Sequence, residues 1–239
     1  MCIIEKMKQQ PASISVVIPV YNEAKRLPKC LQSLQDQTLQ PLEVIVVDNN
    51  STDNSAKIAR QYGATVIRED KQGISYTRTT GFNAAQGAII ARLDADTVAS
   101  PSWLQTCQET FDKNPAVVAV AGRVATAELS PPGKFWFSIF PRISKRNSEI
   151  YIGKSPMLAG HNMAIKKSTW NKIAKKVHLG DDLINEDVDI SLFAHAQGKI
   201  VYASDMLVKT HIIELFFNIK KIIRYKKTTD YTVQLHHKN

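Results

Sequence analysis

Short β-branched runs alternate along this chain with stretches whose apolar residues recur at helical spacing. Ile14-Ser15-Val16-Val17-Ile18, stopped by Pro19, predicts a buried strand. In Glu23 to Gln37 the apolar residues Leu27, Cys30, Leu31 and Leu34 predict a helix, with Pro28 early, where a missing N–H is tolerated best. Leu42 to Val47 is almost wholly apolar, as expected of a parallel strand covered on both faces. Ser51-Thr52-Asp53 then offers capping oxygens to a helix reaching about Tyr62. A strand from Ala64 to Ile67, a helix from Ser75 to Gln86 and a strand from Ala88 to Leu93 continue the series. Such spacing implies right-handed βαβ crossovers and an α/β fold with a mainly parallel sheet.

After a helix from Ser102 to Asn114 the pattern loosens. Ala116 to Thr126 is a strand candidate, broken by Ser130-Pro131-Pro132-Gly133, and the aromatic run Phe135 to Phe140 follows. Gly160 to Lys167 predicts a strand, Ser168 to Lys176 a short helix, Asn185 to Gln197 a helix and Lys199 to Ala203 a strand. Between Ile212 and Lys227, Ile212, Leu215, Phe216, Ile219, Ile222 and Ile223 share one helical face, while Lys220, Lys221, Arg224 and Lys227 lie away from its centre. This predicts a basic amphipathic helix, suited to an anionic membrane surface, to the core, or to a homodimer partner.

Charge changes this picture more than composition does. Of the net +9, residues 142–176 carry 9 basic and 1 acidic residue, and residues 209–239 carry 7 and 2. The second half is thus the part expected to face something anionic, such as a phosphorylated acceptor or a lipid headgroup. No apolar stretch approaches the roughly 20 residues that span a bilayer, and Met1 to Gln10 has no signal-peptide core, so a cytoplasmic location is expected, with the inner membrane face as a candidate surface. Cys2, Cys30 and Cys107 are odd in number and far apart, and read as reduced thiols.

In open parallel sheets ligands bind outside the carboxyl ends of the strands. Here those ends carry Pro19-Val20-Tyr21-Asn22-Glu23, Asp48-Asn49-Asn50 and Asp94-Ala95-Asp96. Two carboxylates one residue apart after an apolar strand suit a hard divalent cation shared with substrate phosphates, although a helix cap or solvated turn uses the same residues. Glu186 and Asp187 open a predicted helix, where the macrodipole alone favours acids and where a general base is equally at home.

Four ordered segments, Val16-Val17-Ile18-Pro19-Val20-Tyr21-Asn22-Glu23, Val46 through Asp53, Gly87 through Asp96, and Glu186-Asp187, resemble the family 2 glycosyltransferases of the GT-A fold, from about Ile14 to His211. The resemblance implies a three-layer α/β/α nucleotide-diphospho-sugar transferase sandwich with a mixed, mainly parallel central sheet. It implies one domain, with a nucleotide-binding half over 12–127, an acceptor half over 128–211 and the basic segment over 212–239. The activity implied is inverting transfer of a sugar from a nucleotide-sugar donor, with Mg²⁺ or Mn²⁺ as cofactor. Position by position, Pro19, Tyr21 and Glu23 would line the base and ribose pocket, and Asp48 would accept from a ring N–H, the base then being uracil. Arg78 would sit near the diphosphate, although Thr79 stands where the family usually has Asn. Asp94 would meet the ribose or a metal-bound water, Asp96 would bind the metal, and His211 would add a further ligand. Asp187 matches the base, Glu186 would orient the acceptor, and Gly160-His161-Asn162-Met163 would lie near the donor sugar.

The chain has no Arg-Trp pair of the processive synthase type, so a single addition is expected, on a carbohydrate or lipid-linked acceptor. Nucleic acid is not an expected partner. Two other classes remain as alternatives: a nucleotidyltransferase, whose Gly-rich basic phosphate loop is not found after the first strand, and a noncatalytic module binding an anionic ligand.

Overall fold

The computed structural model describes residues 13–126, 155–210 and 219–238. In chain order the elements are β1 (Ile14–Val20), α1 (Leu27–Gln35), β2 (Glu43–Asp48), α2 (Ser55–Gln61), β3 (Thr65–Arg68), α3 (Ile74–Ala84), β4 (Ile89–Arg92), β5 (Val98–Ala99), α4 (Trp103–Asp112), β6 (Val117–Thr126), β7 (Met163–Lys166), α5 (Lys167–Ile173), α6 (Glu186–His195), β8 (Lys199–Thr210) and α7 (Ile219–Lys238). The strands form one eight-stranded sheet in the order β3-β2-β1-β4-β7-β6-β8-β5. The first four strands are parallel, β7 runs antiparallel to both β4 and β6, and β5 runs antiparallel to β8.

Every residue of β1 is buried, because side chains on both of its faces meet helices. Val16, Ile18 and Val20 pack with α1 and α4 through Leu27, Cys30, Leu31, Trp103, Leu104 and Cys107. Val17, one position out of phase, packs on the opposite face with Phe82 of α3, Trp170 of α5 and Ile190 of α6. The result is three layers, α/β/α. Cys30 and Cys107 are free and buried, as expected of packing thiols.

Strand order reverses direction beside β1: β2 and β3 lie on one side, β4 on the other. Register between β1 and β4 ends at Val17 opposite Arg92, whereas register with β2 continues to Val20 opposite Asp48. Pro19 is therefore compatible with a central strand, since its missing N–H falls on the side where β4 has already turned away. That fork is the crevice in which an open α/β sheet holds its ligand.

Three expectations need correction. The helix anticipated from Ser51 begins at Ser55 after Asn54, with no side-chain cap, because Ser51 Oγ and Asp53 Oδ2 accept instead from backbone N–H groups of the loop after β1. The strand anticipated over Lys199 to Ala203 runs to Thr210, and its register against β6 shifts between Gly122 and Arg123. The two-residue β5 was not foreseen, being too short to show a period. The basic helix is found as α7, which among the described residues starts at Ile219 and continues past the predicted end at Lys227 to Lys238. Its packed face is Thr228, Thr229, Thr232 and Val233, while Ile223 is 62% exposed. Threonine hydroxyls made that face invisible to an apolar-periodicity argument. Ile212, Leu215, Phe216, His211 and the aromatic run Phe135 to Phe140 lie outside the described residues.

Candidate active site

The loops after β1 and β2 are stitched to one another. Asn22 N–H donates to Ser51 Oγ at 3.0 Å, Glu23 N–H to Ser55 Oγ at 2.9 Å and Ala24 N–H to Asp53 Oδ2 at 2.9 Å. Asn22 and Asn50 adopt left-handed backbone conformations, φ 56° and 61°, which asparagine tolerates best among residues other than glycine. Between these loops Tyr21 is 52% exposed, an aromatic face open to a ligand, and Asp48 is buried at the end of β2, accepting from Ser51 N–H at 3.3 Å. Glu23 pairs with Arg26, and burial, opposed by Arg26 and aided by Asp96 and Asp53, raises its carboxyl above the usual range. Pro19 is buried within β1.

Asp94 and Asp96 occupy the turn between β4 and β5, closed by Thr97 N–H donating to Asp94 O at 3.0 Å. Asp94 Oδ1 lies 3.2 Å from Arg92 Nη2. Asp96 Oδ1 meets only two hydroxyls, those of Thr97 and Thr210, each at 3.4 Å, and it has no cationic partner among the described residues. A carboxylate at a strand end with such weak contacts fits a divalent cation whose remaining ligands come from phosphate and water. No third carboxylate or imidazole joins the pair among the described residues.

Glu186 and Asp187 form the first turn of α6, fixed by the Asn185 side chain, which accepts from the N–H groups of Asp187 and Val188. The two neighbours differ sharply in environment. Glu186 is gripped by two guanidinium groups, Arg92 Nη2 at 2.9 Å and Arg78 Nη1 at 2.9 Å. Burial would raise its carboxyl, but Arg92 and Arg78 hold it below the usual range, so it stays ionised. Among the described residues Asp187 makes no such pair; its Oδ1 accepts from Gly160 N–H at 3.0 Å. Burial, and next the charge of Glu186, push Asp187 up to about 7, with Arg92 opposing.

Arg92 is the link that sequence reasoning missed. Its Nη2 reaches both Asp94 and Glu186, joining the β4 turn to α6. An arginine ending the apolar strand Ile89-Ile90-Ala91-Arg92 was the available signal, because a buried cation must find an anion. Gly160 passes so close that a Cβ there would lie 2.3 Å from Arg92 Nη2. His161, next in the chain, is kept below the ordinary imidazole range chiefly by burial, with Asp94 and Asp96 opposing and Arg92 assisting.

Arg78, expected near the diphosphate, is fully buried, 5.9 Å over the Trp170 ring and bonded to Glu186, so it braces that acid. Glu186, with each carboxylate oxygen on an arginine, is likewise an anchor for this cluster. Asn162 is also structural: it accepts from Trp103 Nε1 at 2.8 Å and donates to the Arg123 and Met206 carbonyls. His211 lies outside the described residues.

Relatives place this geometry in context. Glycosyltransferase AglE of Haloferax volcanii is 41% identical over 100 residues, a match covering 38% of this chain and 33% of that protein. The matches to the first curated relatives each cover less than half of the relative's own length. Two solved structures share the fold. The mannosyltransferase PcManGT from Pyrobaculum calidifontis, in complex with GDP-Man and Mn²⁺, superposes with a TM-score of 0.63 at 19% identity, over 85% of this chain and 58% of that one. Glucosyl-3-phosphoglycerate synthase from Mycobacterium tuberculosis, in complex with Mn²⁺, UDP and phosphoglyceric acid, gives 0.64 at 14% identity, over 92% and 78%. The sheet and its flanking helices are those of the GT-A sandwich. A model described as "Glycosyl transferase family 2" matches residues 15–173, about two thirds of the chain, and with the fork, the paired aspartates and the acidic helix start all inside one GT-A sheet, the chain belongs to that family.

Proposed function

We propose that this glycosyltransferase inverts the anomeric centre, moving a sugar from a UDP-linked donor to an acceptor hydroxyl with Asp187 as general base. The observation that carries the reading is the contrast between neighbours: Glu186 is held ionised by two arginines, while Asp187, beside it, is pushed up to about 7 and, among the described residues, has one carboxylate oxygen without a hydrogen-bond partner. A base needs a pKa near working pH, and burial, followed by the like charge next door, supplies it.

The donor base stacks on Tyr21 in the fork between β1 and β4, and Asp48 accepts from its ring N–H. Asp94 faces the ribose. Asp96 would hold a divalent cation, Mn²⁺ or Mg²⁺, which would supply charge neutralisation for the departing diphosphate. Asp187 takes the proton of the acceptor hydroxyl as its oxygen attacks the anomeric carbon opposite the leaving group. Gly160 N–H keeps Asp187 aimed, and Arg92 holds α6 against the donor turn. Mn²⁺ in both GT-A structures above supports the metal. The basic character of residues 142–176 supports an anionic, lipid-linked acceptor, with addition of a single sugar.

A panel of UDP- and GDP-sugars, scored for binding with and without Mn²⁺ and for the anomeric configuration of any product, tests base, metal and stereochemistry together. Retained configuration would remove the inverting scheme. Asp96→Ala is expected to abolish the Mn²⁺-dependent part of donor binding in calorimetry and leave the Mn²⁺-independent part; unchanged metal dependence would move the ligand elsewhere. The pH profile follows from Asp187. Protonated below about 7, it cannot accept a proton, so kcat/KM should rise with pH through a limb near 7 and level off above it.

A further inference from the structure

On the face of α6 turned away from Asp187 lies a second cluster that the transfer reaction leaves unused. Asp189 is fully buried, and its Oδ1 sits 2.8 Å from His178 Nδ1 and 2.7 Å from His236 Nε2. Its Oδ2 accepts from His178 N–H at 2.9 Å. The three residues come from separate places in the chain: the segment after α5, the first turn of α6 and the end of α7. Phe193, one turn along α6 from Asp189, orders both rings; it stacks on His178 with centroids 6.0 Å apart and tilts against His236 at 4.3 Å.

We propose that His178, Asp189 and His236 form a transition-metal site of the zinc class, which clips α7 to the back of the helix bearing the base. One candidate ligand atom from each residue lies within 4.8 Å of the others. Two imidazoles and one carboxylate are the donor set of first-row transition ions, whereas the Mg²⁺ class prefers oxygen alone. A carboxylate buried between two imidazoles is well placed to share a divalent cation with them. With Zn–N and Zn–O bonds of about 2.0–2.2 Å, tetrahedral ligands stand roughly 3.3–3.5 Å apart. From 2.7 and 2.8 Å the nitrogens need to move about 0.5–0.8 Å away from Asp189 Oδ1, and atoms that start within 4.8 Å of one another need to settle at that tetrahedral spacing, a rearrangement of ring rotations. The His178 side chain is 31% exposed and that of His236 14%, which leaves an entry path and a place for water as fourth ligand. The His178 backbone N–H already orients the other Asp189 oxygen, Oδ2.

Residues 187 and 189 are about 200° apart around a helix, so this site is separate from the donor cation. It stands or falls independently of the transfer scheme, because its readout is metal binding. An untagged full chain carrying Asp96→Ala, dialysed free of metal, is titrated with Zn²⁺ by calorimetry and with Co²⁺ by its visible d–d absorption. One equivalent is expected to bind with tetrahedral-type Co²⁺ bands and to raise the melting temperature. His178→Ala should weaken it by at least about a hundredfold, as should His236→Gln, which keeps an N–H for Asp189 and so preserves the metal-free fold. Failure of Zn²⁺ and Co²⁺ to bind the Asp96→Ala chain would overturn the proposal, leaving a hydrogen-bonded clamp. Undiminished binding after His236→Gln with an unchanged metal-free melting temperature would overturn it equally.

Discussion

Asp187→Asn is expected to lower kcat by about a thousandfold while leaving nucleotide-sugar affinity within a factor of about two, the size of effect a positioned general base supplies. The substitution is close to isosteric, and the amide oxygen still accepts from Gly160 N–H, so the helix start should keep its geometry. What disappears is proton acceptance. Stability gives an independent check. Because the folded-state carboxyl is raised to about 7 from an ordinary value near 4, its contribution to stability is present below the unfolded value and lost as pH rises towards 7. An asparagine does not suffer that loss, and the variant should melt no lower than the parent at pH 8. Collapse of transfer together with a lower melting temperature would point to misfolding; near-normal transfer would take the base role from Asp187.

Arg92→Met is expected to damage both the fold and the pH profile. Arg92 Nη2 is shared by Asp94 and Glu186, and Arg92 also opposes the rise of Asp187. Deleting it leaves Asp94, Glu186 and Asp187 with Arg78 as the nearest counter-charge. Breaking one partner of a buried pair costs about 3–5 kcal/mol, read as an earlier denaturant midpoint. Glu186, whose carboxyl is depressed by Arg92 and Arg78, contributes stability above the unfolded carboxylate range and loses it in acid, so the deficit of Arg92→Met should be largest at neutral pH and shrink as pH falls. In the surviving folded fraction the alkaline shift of Asp187 should move the kcat/KM limb upward from about 7. A limb that stays in place would show that Arg92 is merely structural. Lysine is no remedy, since a point charge cannot replace a planar fork reaching two carboxylates.

The alternation that announced β1 to β4 and α1 to α4 was legible because each strand is covered on both faces and each helix buries one apolar stripe. Element ends drifted by one to four residues, as at Ser51 to Asn54, where oxygens that resemble a helix cap are spent on backbone N–H groups of the neighbouring loop. The Thr-rich contact of α7 was illegible for a related reason. Asn185 N–H and Nδ2 donate to Thr232 Oγ1 and Thr229 Oγ1 at 2.8 and 3.0 Å, and hydroxyls that pack through hydrogen bonds carry no hydrophobic period.

By itself the sequence determined the α/β class, the strand ends that carry Asp48, Asp94 and Asp96, and the pairing of Glu186 with Asp187, because these follow from local period and from adjacency in the chain. Only the tertiary structure decided which of the two neighbours is gripped by arginines. Arg78 and Arg92 come from α3 and β4, about a hundred residues before Glu186, and both bond it rather than Asp187. The field of buried charges depends on distances through space, and no one-dimensional spacing records them.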